Sequence, residues 1–186
     1  MKRKMKISGK WVAKTGLLLA LTVVFQSLSR FLPLGPLGNF VTGSLVNAGL
    51  LVSLSLGGLW SGAAVAVVTP FCALLTGSAM PLLFTPFVAA GNFLLVLLYH
   101  LGRVGARRYK YGGLVGLCLA AAAKFLFLLL SIHLLLPALS VPEPQAAALL
   151  YLFGWPQLVT ALLGGFLALA VSGRLKAALD RTGREP

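Results

Sequence analysis

Acidic side chains are nearly missing from this chain. Glu143, Asp180 and Glu185 are all it has, against 16 lysines and arginines, for a formal net charge of +13. None of the three lies inside an apolar run. A carboxylate cluster for a metal-dependent lipid transferase is therefore lacking, and so is the H-E-x-x-H pattern of an intramembrane metalloprotease. A proton-coupled carrier usually relies on a carboxylate or histidine relay within its spans, and here only Lys124 and His133 titrate there. Rings of charge or a carbonyl filter motif, the usual marks of an ion channel, are missing too. No G-x-x-x-x-G-K-[ST] loop is present for ATP, and no G-x-S-x-G elbow for a serine hydrolase. The two cysteines, Cys72 and Cys118, fall in apolar runs without disulfide or metal spacing and read as small packing residues. Neither a metal nor a cofactor is expected, and catalysis is not the expected function.

Charge of either sign is scarce. Charged residues make up 10% of the chain, hydrophobic residues 59%, and the mean hydropathy is +0.95. Soluble domains carry about 25% charged residues, so the composition is that of an integral membrane protein. The basic excess does not point to nucleic acid, because it sits in clusters between apolar runs rather than along one surface. Topology and contact with anionic lipid account for it.

Turn and charge signals divide the chain into six apolar spans, about residues 11–29, 41–56, 62–75, 82–101, 112–136 and 145–171, in one membrane domain covering 1–186. The second and third are short, which suits tilted, re-entrant or internally packed segments. The N-terminal MKRKMKISGKWVAKTGLLLALTVVF has the layout of a signal peptide. No A-x-A site follows it and further spans do, so it reads as an uncleaved first helix. With six spans, three basic segments share one side: Lys2 to Lys14, Arg103 to Lys110, and Arg174 to Arg184. They hold fourteen of the sixteen basic residues, leaving only Arg30 and Lys124. The expectation is an all-α, six-transmembrane-helix bundle with both termini cytoplasmic.

Lys124 is the anomaly. It sits near the middle of the fifth span, LVGLCLAAAAKFLFLLLSIHLLL, where a charge costs at least ~2.5–3.5 kcal/mol on insertion scales. No carboxylate lies in the spans to neutralise it. It must face a cavity, find amide and carbonyl partners, lose its proton, or meet an anion from elsewhere. Four amides accompany it at mid-span or in the outer half: Gln26, Asn47, Asn92 and Gln157. They form either separate interhelical hydrogen bonds, worth about 0.6 kcal/mol each, or one polar pocket opening outward. Thr85, Asn92 and Tyr99 recur every seven residues and share a face, as do Ala120, Ala121, Lys124 and Ser131. His133 points away from Lys124. The first outer loop, Arg30–Phe40, carries Pro33, Gly35, Pro36, Gly38 and Asn39 and suits a lid or a turn.

On span one, Ala13, Gly16, Ala20 and Ser27 form a stripe of small residues opposite Thr22 and Gln26. Gly16-x-x-x-Ala20 lets another helix approach closely, either inside the bundle or from a partner.

Together, the length and six spans, the Gly16-x-x-x-Ala20 motif, the stretch VTGSLVNAGLLVSLSLGGLWSGAAVAVVTPFCALLTG and the stretch WPQLVTALLGGFLALAVSGRL resemble the substrate-binding S components of energy-coupling factor (ECF) transporters. That family commonly has alanine at both positions of the motif, so Gly16 is a mild departure. The resemblance implies a multi-pass protein of a prokaryotic plasma membrane that captures a vitamin-like solute from outside. It implies docking through Gly16 and Ala20 on a separate T component that carries two ATPases, which would explain the missing P-loop. Lys124, Asn92, Gln157, Gln26, Asn47, Arg30 and Asn39 are then the candidate solute contacts, with Lys124 facing an anionic or carbonyl-rich part of the solute. The alternative is a small structural or assembly protein of the cell envelope that binds no solute.

Overall fold

The computed structural model describes residues 8–31, 37–76, 81–106, 108–109, 111–138 and 141–182. The fold is all-α, with no strand among the described residues. Helices run over Gly9–Phe31 (α1), Leu37–Gly57 (α2), Leu59–Leu75 (α3), Thr85–Gly105 (α4), Gly112–Leu135 (α5), Glu143–Phe153 (α6) and Trp155–Thr182 (α7). Short 3-10 turns at Leu82–Phe84 and Leu136–Ala138 lead into α4 and out of α5. By length and hydropathy, α1, α2, the Leu82–Gly105 segment, α5 and the Glu143–Ala178 segment each suffice to cross a bilayer. The apolar helix α3 has only 17 residues, about 25 Å of rise.

Two boundaries differ from the sequence expectation. Leu37–Phe40, read as part of a loop, form the first turn of α2. The sequence carries a start signal next to them in Pro36, since the first N–H groups of a helix have no partner and proline has none to lose. Asn39 is thus a helical residue, and of the proposed lid only residues 32–36 fall between the helices, outside the described residues. The sixth apolar stretch is interrupted at Gly154, where the backbone leaves the helical region and α6 ends. Pro156 keeps the break open, since it has no N–H to give the preceding turn. The 28-residue α7 that follows is about 42 Å long and spans a bilayer alone.

α2 is the central helix, packed against α1, α3 and α7, while α4 lies between α3 and α5. A single residue, Gly58, turns the chain from α2 into α3, with φ 82° and ψ −180°, a conformation reserved almost entirely for glycine. From α1, the Trp11 indole and the Lys14 amine donate to the Gly57 and Leu56 carbonyls at the end of α2, at 3.1 and 2.9 Å. These bonds satisfy carbonyls that a helix C-terminus leaves free. They also bring Lys14 and the Arg103 end of α4 to one side, where Arg103 bonds Ser55. This is the end that the charge distribution assigns to the cytoplasm.

Two apolar clusters hold the bundle. Toward the basic end, Leu50, Leu51, Val65, Leu95, Leu117 and Ala120 are buried together. Toward the opposite end, Phe84, Leu128, Ile132, Leu149 and Phe153 pack, with the Phe84 and Phe153 rings 5.3 Å apart. α2 and α7 approach closely at Gly164. A Cβ there would press on the Ser44 carbonyl oxygen and stand 2.7 Å from the Asn47 Cβ. Gly164→Val should therefore lower stability by about 1–3 kcal/mol through overpacking, read as a drop in the thermal unfolding midpoint in detergent. An unchanged midpoint would mean that the α2–α7 contact is looser than the structure has it.

Candidate functional site

In the half of the bundle away from the basic end lies a polar cavity of about 220 Å³. Its lining includes Gln26, Asn39, Thr42, Asn47, Asn92, Lys124, Gln157 and Thr160. Six of the seven candidates named from sequence thus border one space. The seventh, Arg30, lies in the last turn of α1, and its side chain is outside what the structure describes.

Lys124 is the most buried cation, 3% exposed at mid-α5. Its Nζ donates to Asn47 Oδ1 at 2.7 Å. Asn47, 2% exposed, is held by its own amide hydrogens, which reach the Gly43 carbonyl at 2.9 Å and the Thr160 hydroxyl at 3.4 Å. The Thr160 hydroxyl in turn donates to the Gln157 carbonyl at 3.3 Å. This chain of bonds joins α5, α2 and α7. An ammonium carries three donors, and Asn47 takes one. Among the described residues no carboxylate pairs with Lys124.

The remaining amides divide into two kinds. Gln157 repairs interrupted backbone, while Gln26 bridges two backbone groups beside a helix proline. With its amide oriented so that each atom meets a complementary group, Gln26 donates to the Thr69 carbonyl at 3.2 Å and accepts from the Ala73 N–H at 2.9 Å. Those two groups flank Pro70, the proline inside α3. Gln157 Nε2 donates to the Leu152 carbonyl at 2.9 Å, the group that an N–H at position 156 would bond if Pro156 had one. Asn92 behaves differently. It is 3% exposed, borders the cavity, and makes no hydrogen bond among the described residues. The Thr42 hydroxyl, buried at the cavity wall, has no partner either.

Three of the helices that start at this end reach the cavity with their first turns. Asn39 belongs to the first turn of α2, Val88 to that of α4, and Pro156 and Gln157 to that of α7, and all four border the cavity. Helix N-termini carry about half a positive charge and are usually balanced by acidic residues. None of these three has an acidic residue in its first turn. Lys124 and these N-termini each add positive potential at the cavity.

Sequence reading missed Thr42 and the part played by Pro70. Thr42 was legible: Asn39, Thr42, Gly43, Val46 and Asn47 follow the i, i+3, i+4, i+7, i+8 pattern of one helix face. The pattern was hidden by starting the helix after Asn39. His133 is exposed, and the Ser131 hydroxyl donates to the Phe127 carbonyl of its own helix. Among the described residues no cluster of three His, Cys, Asp or Glu occurs.

Gly16 and Ala20 are exposed on α1, and a Cβ at Gly16 would meet nothing. Thr15 and Thr22 occupy the buried side of the helix. The small stripe faces away from the bundle, which excludes the expectation that it packs inside. A larger cleft, of about 590 Å³ between α2 and α7, is lined by Val41, Leu45, Phe166 and similar residues and has almost nothing polar to orient a solute.

The family model described as ECF transporter, substrate-specific component matches residues 10–173. The chain belongs to that family. No curated protein and no solved structure matched it. This ECF component is thus a multi-pass membrane protein of a class that binds small solutes for a transporter. Its polar cavity and exposed α1 stripe are separate features, on different faces of α1.

The Lys124–Asn47 bond carries a stability prediction. Asn47→Ala leaves the buried amine without an acceptor and should cost about 1–3 kcal/mol. Lys124→Met should cost much less, because it removes the group that needs a partner. The double variant should melt above Asn47→Ala alone, with a coupling of about 0.5–3 kcal/mol. A double variant that melts no higher than Asn47→Ala would show that the two side chains act independently.

Proposed function

We propose that this protein captures a small water-soluble solute, vitamin-like and bearing a carboxylate or another electron-rich oxygen, from the outer side of the membrane. The observation that carries the reading is Lys124, buried on a polar cavity with one protein acceptor and no carboxylate partner among the described residues. An anionic group would accept from its remaining hydrogens. The free amide of Asn92 and the hydroxyl of Thr42 would take further polar atoms of the same solute. The acid-free N-termini of α2, α4 and α7 add to the attraction for negative charge. Gln26, Asn39 and Gln157 complete the walls, and Arg30 at the end of α1 is proposed to assist at the entrance. The volume, about seven times that of a water molecule, suits a compact ligand.

Transport needs energy, and this chain carries no P-loop motif. We infer that it docks on a separate membrane subunit bearing two ATPases, with Gly16 and Ala20 as the contact. Leu17, 70% exposed, and the exposed Val24 flank that stripe with apolar surface. In this reading the protein is not an enzyme: it binds and releases its solute unchanged.

A thermal-shift screen of detergent-purified protein against water-soluble vitamins and their precursors tests the proposal. A ligand at 100 times its dissociation constant stabilises the folded state by about 2.7 kcal/mol, a visible rise in the midpoint. Lys124→Ala should abolish the rise for the ligand found while the protein stays folded. Unchanged affinity in that variant would refute the role of Lys124. Absence of any response across the panel would favour an assembly protein without solute affinity. Gly16→Leu should keep solute binding and reduce co-purification of the coupling subunit; equal recovery with the variant would refute the docking surface.

A further inference from the structure

The solute cavity is not the only polar hollow in the bundle. A second one, of about 180 Å³, opens at the basic end between α2, α4 and α7. Ser55, Tyr99, Arg103, Ser172 and Lys176 line it. Its polar groups are poorly used. Arg103 gives one guanidinium nitrogen to the Ser55 hydroxyl at 3.3 Å. The Ser172 hydroxyl is buried without a partner. Tyr99 is 2% exposed, and its hydroxyl makes no hydrogen bond among the described residues. Neither Arg103 nor Lys176 has a carboxylate partner among the described residues. Two cations and three hydroxyls thus converge on a space several times the volume of a water molecule.

We propose that this hollow binds a phosphate-ester anion. An arginine fork can grip a phosphate through two parallel hydrogen bonds, and hydroxyls and a lysine complete its coordination. Depth favours the headgroup of an anionic phospholipid as the source. Lys176 lies 21 residues beyond Trp155 on α7, about 32 Å along the helix, against a hydrocarbon core of about 30 Å. With Trp155 at one interface, the hollow is level with the headgroups of the other. Basic pockets between helices on the cytoplasmic side are the usual receptors for such headgroups. The plainer role for these cations is to offset the C-terminal dipoles of α2 and α4. For α2 that role is already filled by Lys14, bonded to the Leu56 carbonyl.

Native mass spectrometry of detergent-purified protein titrated with phosphatidylglycerol, against phosphatidylcholine as the zwitterionic control, tests the site. Phosphatidylglycerol should be retained selectively, and Arg103→Gln/Lys176→Gln should weaken its binding by about tenfold or more. Arg174→Gln/Arg181→Gln, with the same loss of charge outside the lining of the hollow, should leave it unchanged. Tyr99→Phe, which removes one hydroxyl and little volume, should weaken it by a smaller factor and guards against misfolding of the double variant. A second arm measures the unfolding midpoint in inorganic phosphate. A rise seen in the wild type and lost in Arg103→Gln/Lys176→Gln would name a soluble phosphate as a ligand of the same site. Selective retention of phosphatidylglycerol with no response to phosphate would name the lipid. Equal binding by wild type and both double variants, or equal losses in both, would overturn the proposal, because only diffuse charge would then be at work.

Discussion

A single buried amine, held by one amide oxygen, sets the terms for the rest of this structure. Lys124 sits in the middle of an apolar helix, and Asn47 supplies its one acceptor at 2.7 Å. A polar group withdrawn from water must find partners or its burial is costly. Meeting that requirement brings α5, α2 and α7 together, because Asn47 must itself be steadied by Gly43 and Thr160. The helices can approach closely enough only because Gly164 has no side chain. One cation and its acceptor thus sit where three helices meet. Its unused hydrogens then define what else the cavity has to offer.

The cavity is built where regular helix fails. α3 contains Pro70, and the last two helices are separated by Gly154 and Pro156. Broken backbone at membrane depth is tolerated only where protein or a cavity satisfies the freed groups. Gln157 does so on the Leu152 carbonyl, and Gln26 ties α1 to the Thr69 carbonyl and the Ala73 N–H beside Pro70. Each therefore combines two roles, bonding backbone and forming a wall of the cavity. Asn92 and Thr42 make no such bond among the described residues. The distinction separates polar groups already engaged with the protein from those still open on the cavity.

The two ends of the bundle differ in electrical design. At one end, cations gather at the ends of α2, α4 and α7, where helix C-termini are negative. At the other, three helix N-termini converge without acidic residues. With so few carboxylates in the chain, little acidic charge offsets the cations at either end. On the two proposals, each end of the bundle offers one cavity to an anion, with the apolar cluster of Leu50, Leu95 and Leu117 between them.

Much of this was legible in the sequence. Hydropathy identified the helices, and the basic clusters identified the end they share, because both depend on composition over many residues. Helical periodicity also placed Gly16 and Ala20 opposite Thr22 and Gln26, and put Asn92 and Lys124 on buried faces. Family membership was visible in the same stretches that the family model matches. Three things were decided only by the tertiary structure. Asn39 joined α2, and the last apolar stretch split at Gly154, because a helix boundary turns on a few backbone hydrogen bonds that hydropathy does not register. Asn47, rather than any other amide, became the partner of Lys124, since pairing across helices depends on their relative rotation and depth. The outward direction of the small stripe followed from which side of α1 met α2 and α3, a choice that the spacing of Gly16 and Ala20 left open.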